Sequence, residues 1–337
     1  MKAAMTQEGS VEVHDIPTPS PGDDEALIRI TASGVCHSDL HMVRASSKKP
    51  MPIGHEAIGI VEALGPGAER SVAVGDRVIL GMGGMGGYWC GACEYCLRGL
   101  TRHCAQGKRI VGTFAEHIAL WAPSLVPVPE AVADHDAPLA CGGLTAYGAV
   151  KKLVEHDVAP GGRVAIVGAA GGLGHYAVQI AVSLGYEVIG VDVGEDKLEF
   201  LRSLGAHRAF DVSDAVEQIK ALGGAHASLV FATRVAGFRL GLDALRPAGL
   251  FVAVALPARS EGTFDLLPME LFLKDPTIIY SVVGTVQDMR EVVELAAAGK
   301  VHTHVARTGA LSELPAIFDE LAAAQYPGRA VITDLTG

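Results

Sequence analysis

The sequence predicts an α/β chain in two parts, a β-rich domain followed by a doubly wound parallel sheet. Three observations predict it. A length of 337 residues suggests two domains, at roughly 100–200 residues each. Hydrophobic residues make up 49% and charged residues 19%, a globular composition with ample core. The texture also changes near Gly143, from short β-branched runs broken by Gly and Pro to apolar runs alternating with helical patterns.

In the first part the chain opens into a strand-like pattern, and further strands are expected at Leu27–Ile30, Ala57–Val61, Val72–Leu80 and Ala115–Leu120. The second part carries candidate strands Val164–Val167, Val188–Val191, Ala209–Asp211, Ala227–Phe231, Leu250–Val254 and Ile278–Val283. Helical segments such as Lys197–Leu204 and Val216–Leu222 lie between them. Continuous apolar runs separated by helices are what parallel strands buried on both faces require. Two helices (Met289–Ala298, Glu313–Ala324) and a strand (Ala330–Thr333) form a tail too short for a third domain, expected to return to the first.

Net charge is −11, from 27 Lys+Arg against 38 Asp+Glu, with no basic block longer than Lys48-Lys49. Nucleic acid and anionic membrane surfaces are therefore not expected partners. The uncharged stretch 164–186 holds Gly168, Gly171, Gly172, Gly174, His175 and Gln179, and reads as strand, turn and helix rather than a membrane span. The opening MKAAMTQEGS lacks a secretion-signal layout, so a cytoplasmic location is expected.

The turn Gly168-x2-Gly171-Gly172-Leu173-Gly174 joins an apolar strand to a helical pattern. A helix N-terminus offers free N–H groups and a favourable dipole to a pyrophosphate, and glycine permits close approach. The next strand ends at Asp192, 18 residues after Gly174, where an acidic residue binds the adenosine ribose hydroxyls. Its carboxylate would repel a 2′-phosphate, so NAD is expected over NADP.

Cys90-x2-Cys93-x2-Cys96-x7-Cys104 puts four thiols within fifteen residues. That spacing suits a closed, structural tetrahedral zinc better than disulfides in a reducing compartment or an iron–sulfur cluster. Cys36, Cys141 and His55 stand apart. A Cys2His set with an open position would be a catalytic zinc site. Spacing alone does not bring three distant residues together, and a lone buried Cys or His is more often structural.

The whole pattern resembles the zinc-dependent medium-chain alcohol dehydrogenases, essentially end to end. The resemblance rests on Gly54-His55-Glu56-x2-Gly59-x5-Gly65, the four-cysteine lobe, Cys36-His37-Ser38-Asp39-x-His41 and the Gly168–Gly174 turn. It implies a GroES-like catalytic domain over 1–142 and 284–337, with a zinc lobe at about 88–106. It also implies a Rossmann domain over 143–283, two zincs per chain, NAD, and a homodimer or homotetramer.

Carried over position by position, Cys36, His55 and Cys141 would bind the catalytic zinc, with Glu56 behind it as an alternative ligand. Asp39 would orient His55. Ser38 would take the alcohol proton and pass it through the cofactor ribose to His41. His37 would face the pyrophosphate, Lys197 would support the ribose, and Arg329 would reach the phosphates. The substrate would be a primary or secondary alcohol, or an aldehyde or ketone in reverse. A larger hydroxylated substrate is an alternative, as is, less favoured, a zinc-free quinone or enone reductase of the same fold.

One departure concerns the substrate pocket. Where relatives carry aromatic residues, residues 81–89 read Gly-Met-Gly-Gly-Met-Gly-Gly-Tyr-Trp, which suggests a roomier pocket or a mobile loop.

Overall fold

The computed structural model describes all 337 residues and divides them into two compact units. The first comprises Met1–Leu144, Gly284–Gly299 and Thr303–Gly337; the second comprises Thr145–Val283 and Lys300–His302.

The first unit is a mixed, mainly antiparallel β structure. Its N-terminal hairpin pairs Lys2–Gln7 with Ser10–Asp15 through a tight turn at Glu8 and Gly9, both with positive φ. The spine is the eleven-residue strand Glu25–Val35, which pairs antiparallel with Ala57–Leu64, His117–Trp121 and Arg329–Asp334. Along its first half, inward and outward residues alternate, so Ala26, Ile28 and Ile30 are buried. They join a core that includes Ile53, Val61, Leu80, Phe114, Leu311 and Ile332.

The expected strand Val72–Leu80 begins only at Arg77. Gly75 takes φ +93°, and the Asp76 carboxylate accepts the Ala73 N–H, so 73–76 is a turn that β-branched content did not reveal.

The second unit is a six-stranded, wholly parallel sheet. Its spatial order runs Arg208–Asp211, Glu187–Asp192, Arg163–Val167, Ala225–Val230, Leu245–Ala253, Thr277–Tyr280. Numbered along the chain that is 3-2-1-4-5-6, the order of a Rossmann sheet. Val164, Ala165, Ile166 and Val167 are all buried, as a central strand covered on both faces must be. The last strand stops at Tyr280 rather than Val283, whose φ of +52° cannot continue a strand. No helix is long and apolar enough to cross a membrane.

Candidate functional site

Two groups of metal-type ligands form, one scattered in sequence and one local. In the scattered group, one ligand atom each from Cys36, His55, Glu56 and Cys141 lies within 4.8 Å of the others, and all four residues are buried. Three segments of the first unit supply it. Cys36 ends the spine strand's run and is the N-cap of helix His37–Arg44. His55 and Glu56 precede strand Ala57–Leu64, and Cys141 follows the 3₁₀ segment Asp134–Ala140.

Asp39 organises this group. One carboxylate oxygen accepts the Cys36 N–H at 3.2 Å, and the other meets His55 Nδ1 at 2.7 Å. With its Nδ1 proton engaged by the carboxylate, the imidazole turns an Nε2 lone pair inward. That Nε2 is buried without a hydrogen-bond partner, as is Glu56 Oε1. Buried polar atoms left unpaired are costly, and a cation among two thiols and an imidazole would satisfy them. The donor set therefore fits zinc.

The electrostatics agree. A hydrogen bond between the two thiols draws Cys36 well below the usual thiol range and pushes Cys141 well above it. Burial pushes the Glu56 carboxyl up to about 7, with the Arg329 guanidinium pulling the other way. Burial disfavours a charged His55, yet Asp39 and Cys36 outweigh it and hold the imidazole well above its usual value. Such a set holds protons that a divalent cation can replace.

Ser38 and His41 are exposed, three residues apart on helix His37–Arg44, and so share a face. Ser38 Oγ lies 3.7 Å from Cys36 Sγ. His37 is exposed on the same helix. Arg329 is buried and paired with Glu56 Oε2, a partnership across 273 residues that no spacing could reveal.

The local group is Cys90, Cys93, Cys96 and Cys104, again with sulfurs within 4.8 Å of one another. Backbone amides point at its sulfurs: Cys93 N–H to Cys90 Sγ at 3.3 Å and Cys90 N–H to Cys104 Sγ at 3.4 Å. The amides of Ala92 and Cys93 bring the Cys90 thiol down to about 6. Four thiols with amide support and no fifth donor fit a closed zinc.

In the second unit the Gly168–Gly174 turn leads into helix Gly174–Ser183. Gly168 has φ +77°, and a Cβ at Gly174 would meet the Gly168 carbonyl oxygen at 2.2 Å, so neither position accepts a side chain. Gly171 is exposed, while Gly172 and Leu173 are half-buried. Asp192 faces the turn: its carboxylate accepts the Ala170 and Val193 N–H groups, both at 2.9 Å, and Lys197 Nζ approaches to 3.4 Å.

Other positions take ordinary roles. Thr285 caps helix Val286–Ala297 with Asp288, and Gln287 bonds Glu291. His117 meets Glu62, and His103 packs on Tyr95. The Gly/Met run is not an open loop, because Met82 and Gly84 are buried and Gly87 is wedged against the Lys108–Arg109 backbone. Left-handed turns at Gly81, Gly83 and Gly84 let it fold that tightly. Sequence reasoning did not single out Ser33 and Thr113, whose buried hydroxyls touch the Glu56 backbone.

Comparison with known proteins gives two family matches: the alcohol dehydrogenase GroES-like domain over 22–130, and the zinc-binding dehydrogenase domain over 172–298. The chain is 37% identical to an alcohol dehydrogenase of a Moraxella species over 350 residues, covering 98% of this chain and 99% of the relative. It is 36% identical over 353 residues, with the same coverage, to an alcohol dehydrogenase of Geobacillus stearothermophilus. A crystal structure described as an NAD-dependent alcohol dehydrogenase superposes with a TM-score of 0.88 at 27% identity, covering 98% of this chain and 99% of that one.

Proposed function

The chain belongs to the zinc-dependent medium-chain alcohol dehydrogenases, and from that premise we propose that it interconverts an alcohol and its aldehyde or ketone using NAD(H). The observation that carries the chemistry is the unpartnered, buried His55 Nε2 beside Cys36, Cys141 and Glu56. Those residues would hold the catalytic zinc, with Glu56 as the alternative ligand. Cys90, Cys93, Cys96 and Cys104 would hold a second zinc that only stiffens the lobe. Residues 1–142 with 284–337 would carry the chemistry, and 143–283 would bind the dinucleotide.

Zinc supplies Lewis acidity when bound, making a substrate hydroxyl easier to deprotonate. NAD, when bound, would supply the acceptor for the hydride of the carbinol carbon. The chain's own residues do the rest. Asp39 fixes the His55 tautomer, leaving Nε2 free to donate its lone pair. Ser38 would take the hydroxyl proton at Oγ as it gives up its own, and His41, exposed on the same helical face, would release a proton to solvent. In reverse the proton runs the other way to the carbonyl oxygen.

Gly168, Gly171, Gly172, Leu173 and Gly174 would receive the pyrophosphate at a helix N-terminus. Asp192 would accept from the adenosine ribose, with Lys197 beside it, and so disfavour a 2′-phosphate. His37 and Arg329 would complete the phosphate contacts, Arg329 while remaining anchored on Glu56.

None of the six cysteines is paired in a disulfide, which would suit a protein of the reducing cytoplasm. A homodimer or homotetramer would cover the exposed Leu267, Met269, Phe272 and Leu273 around helix Pro268–Lys274.

The test follows NADH formation over a panel of short, branched, aromatic, ω-carboxylated and polyol alcohols, with NADP+ and chelator-treated controls. Activity with NAD+ that chelation removes is expected. Two zincs per chain with silence across the panel would reject the ordinary-alcohol substrate class. Silence with no zinc outside the lobe would overturn the catalytic reading.

A further inference from the structure

The backbone on either side of His55 is gripped by a buried side-chain network that the chemistry above does not use. Thr113 brackets the residue: its N–H donates to the Gly54 carbonyl at 3.2 Å, and its Oγ1 accepts the Glu56 N–H at 3.2 Å. Ser33 donates its hydroxyl proton to the Glu56 carbonyl at 2.9 Å. The Ser33 and Thr113 oxygens are themselves 3.0 Å apart. A serine has one proton, and Ser33 has already committed it, so Thr113 is the donor between the two hydroxyls.

The bonds therefore close into a ring: Glu56 N–H to Thr113 Oγ1, Thr113 O–H to Ser33 Oγ, Ser33 O–H to Glu56 O. Ser33, Thr113 and Glu56 are all fully buried. Hydroxyls so placed carry a desolvation cost that only complete pairing offsets. Gly34 N–H adds a second donor to the Glu56 carbonyl at 2.9 Å.

The opposite side is closed by backbone. A Cβ on Gly81 would sit 2.0 Å from the His55 carbonyl oxygen, so the chain there leaves no room for His55 to retreat. Asp39 already holds the ring. With the backbone held before it, after it and behind it, the imidazole has one place to be. Metal ligands need positioning to within about 0.5 Å, and supporting bonds typically change metal affinity about 10–100-fold.

We propose that Ser33 and Thr113 are positioning residues of the scattered metal centre: a two-hydroxyl clamp that sets where His55 and Glu56 present their ligand atoms. The clamp rests on the proposed catalytic zinc. Its partner is the backbone of the ligand-bearing dipeptide, so removing a hydroxyl should loosen that zinc without touching the cysteine lobe.

The experiment measures zinc release from the purified holoprotein to a chromogenic chelator, together with the visible spectrum of cobalt-substituted protein. The variants are Thr113→Val, Thr113→Ser and Ser33→Ala. Thr113→Val keeps the shape and strands both the Glu56 N–H and the Ser33 oxygen. It should speed release of one of two zincs about tenfold, leave the other unchanged, and shift the cobalt bands. Thr113→Ser, which keeps the hydroxyl, should stay close to the parent on both readouts. Should Thr113→Val fail to fold, Ser33→Ala opens the same ring from its other hydroxyl and should show the same selective release. Unchanged release and spectra would overturn the clamp, as would equal loss of both zincs or Thr113→Ser behaving as Thr113→Val does. A parent protein with no zinc outside the lobe would instead overturn the functional reading, and the clamp with it.

Discussion

The two ligand clusters of the first unit use similar donors and are built in opposite ways. Cys90, Cys93, Cys96 and Cys104 come from one stretch of fifteen residues, and three of them are half-exposed. Cys36, His55, Glu56 and Cys141 come from separate segments and are all buried. In the lobe the sulfurs take backbone N–H bonds from their own turns, and four thiols leave no position open. The scattered cluster is held from outside, by Asp39 on the ring and by Arg329 on Glu56, and it keeps a mixed donor set. A centre made of local chain can shape that chain. One made of distant chain depends on the fold around it, and can leave a side open for chemistry.

That contrast can be broken by substitution, and the largest effect should come from Cys36→Ser. It should remove one zinc and abolish turnover while the thermal unfolding midpoint stays near that of the parent. Cys93→Ser should do the reverse, lowering the midpoint and exposing the lobe to proteolysis, with activity falling only as the lobe opens. Limited proteolysis beside a calorimetric scan separates the two.

Asp39→Asn sharpens the comparison, because it removes a support and no ligand. Turnover and affinity for the scattered zinc should fall about 10–100-fold with the lobe zinc retained. Breaking the buried Glu56–Arg329 pair with Arg329→Met should cost up to about 3 kcal/mol at high pH, where an unpaired carboxylate is left in the interior, and less at low pH, where the carboxyl holds a proton; Glu56→Gln added to it should recover part of that in denaturant titrations. The smallest effect lies in the second unit. Asp192→Ala should narrow the preference for NAD+ over NADP+ by about tenfold, near 1.4 kcal/mol, read as the ratio of kcat/KM values.

How much of this could be read in advance follows from the same contrast. The lobe was legible because its ligand spacing is itself the signal. The Gly168–Gly174 turn and Asp192 were legible because strand, turn, helix and second strand follow one another in order. The scattered ligands had no such signal, and only resemblance to a known family joined Cys36 to His55 and Cys141. The Glu56–Arg329 pair lies beyond any local pattern, and Ser33 and Thr113 are ordinary hydroxyls until the fold sets them around one peptide. The turn at 73–76 was missed because β-branched content outweighed Gly75 and Asp76, whose backbone and carboxylate decide the conformation. The Gly/Met run left two readings open in the sequence, because glycine permits tight left-handed packing as readily as mobility.

Zinc content per chain, measured by mass spectrometry on the parent, Cys36→Ser and Cys93→Ser beside their unfolding midpoints, tests the division between the two centres most directly. The account predicts two zincs in the parent, one in Cys36→Ser at an unchanged midpoint, and a lowered midpoint in Cys93→Ser. Two variants that lose metal and stability alike would contradict it.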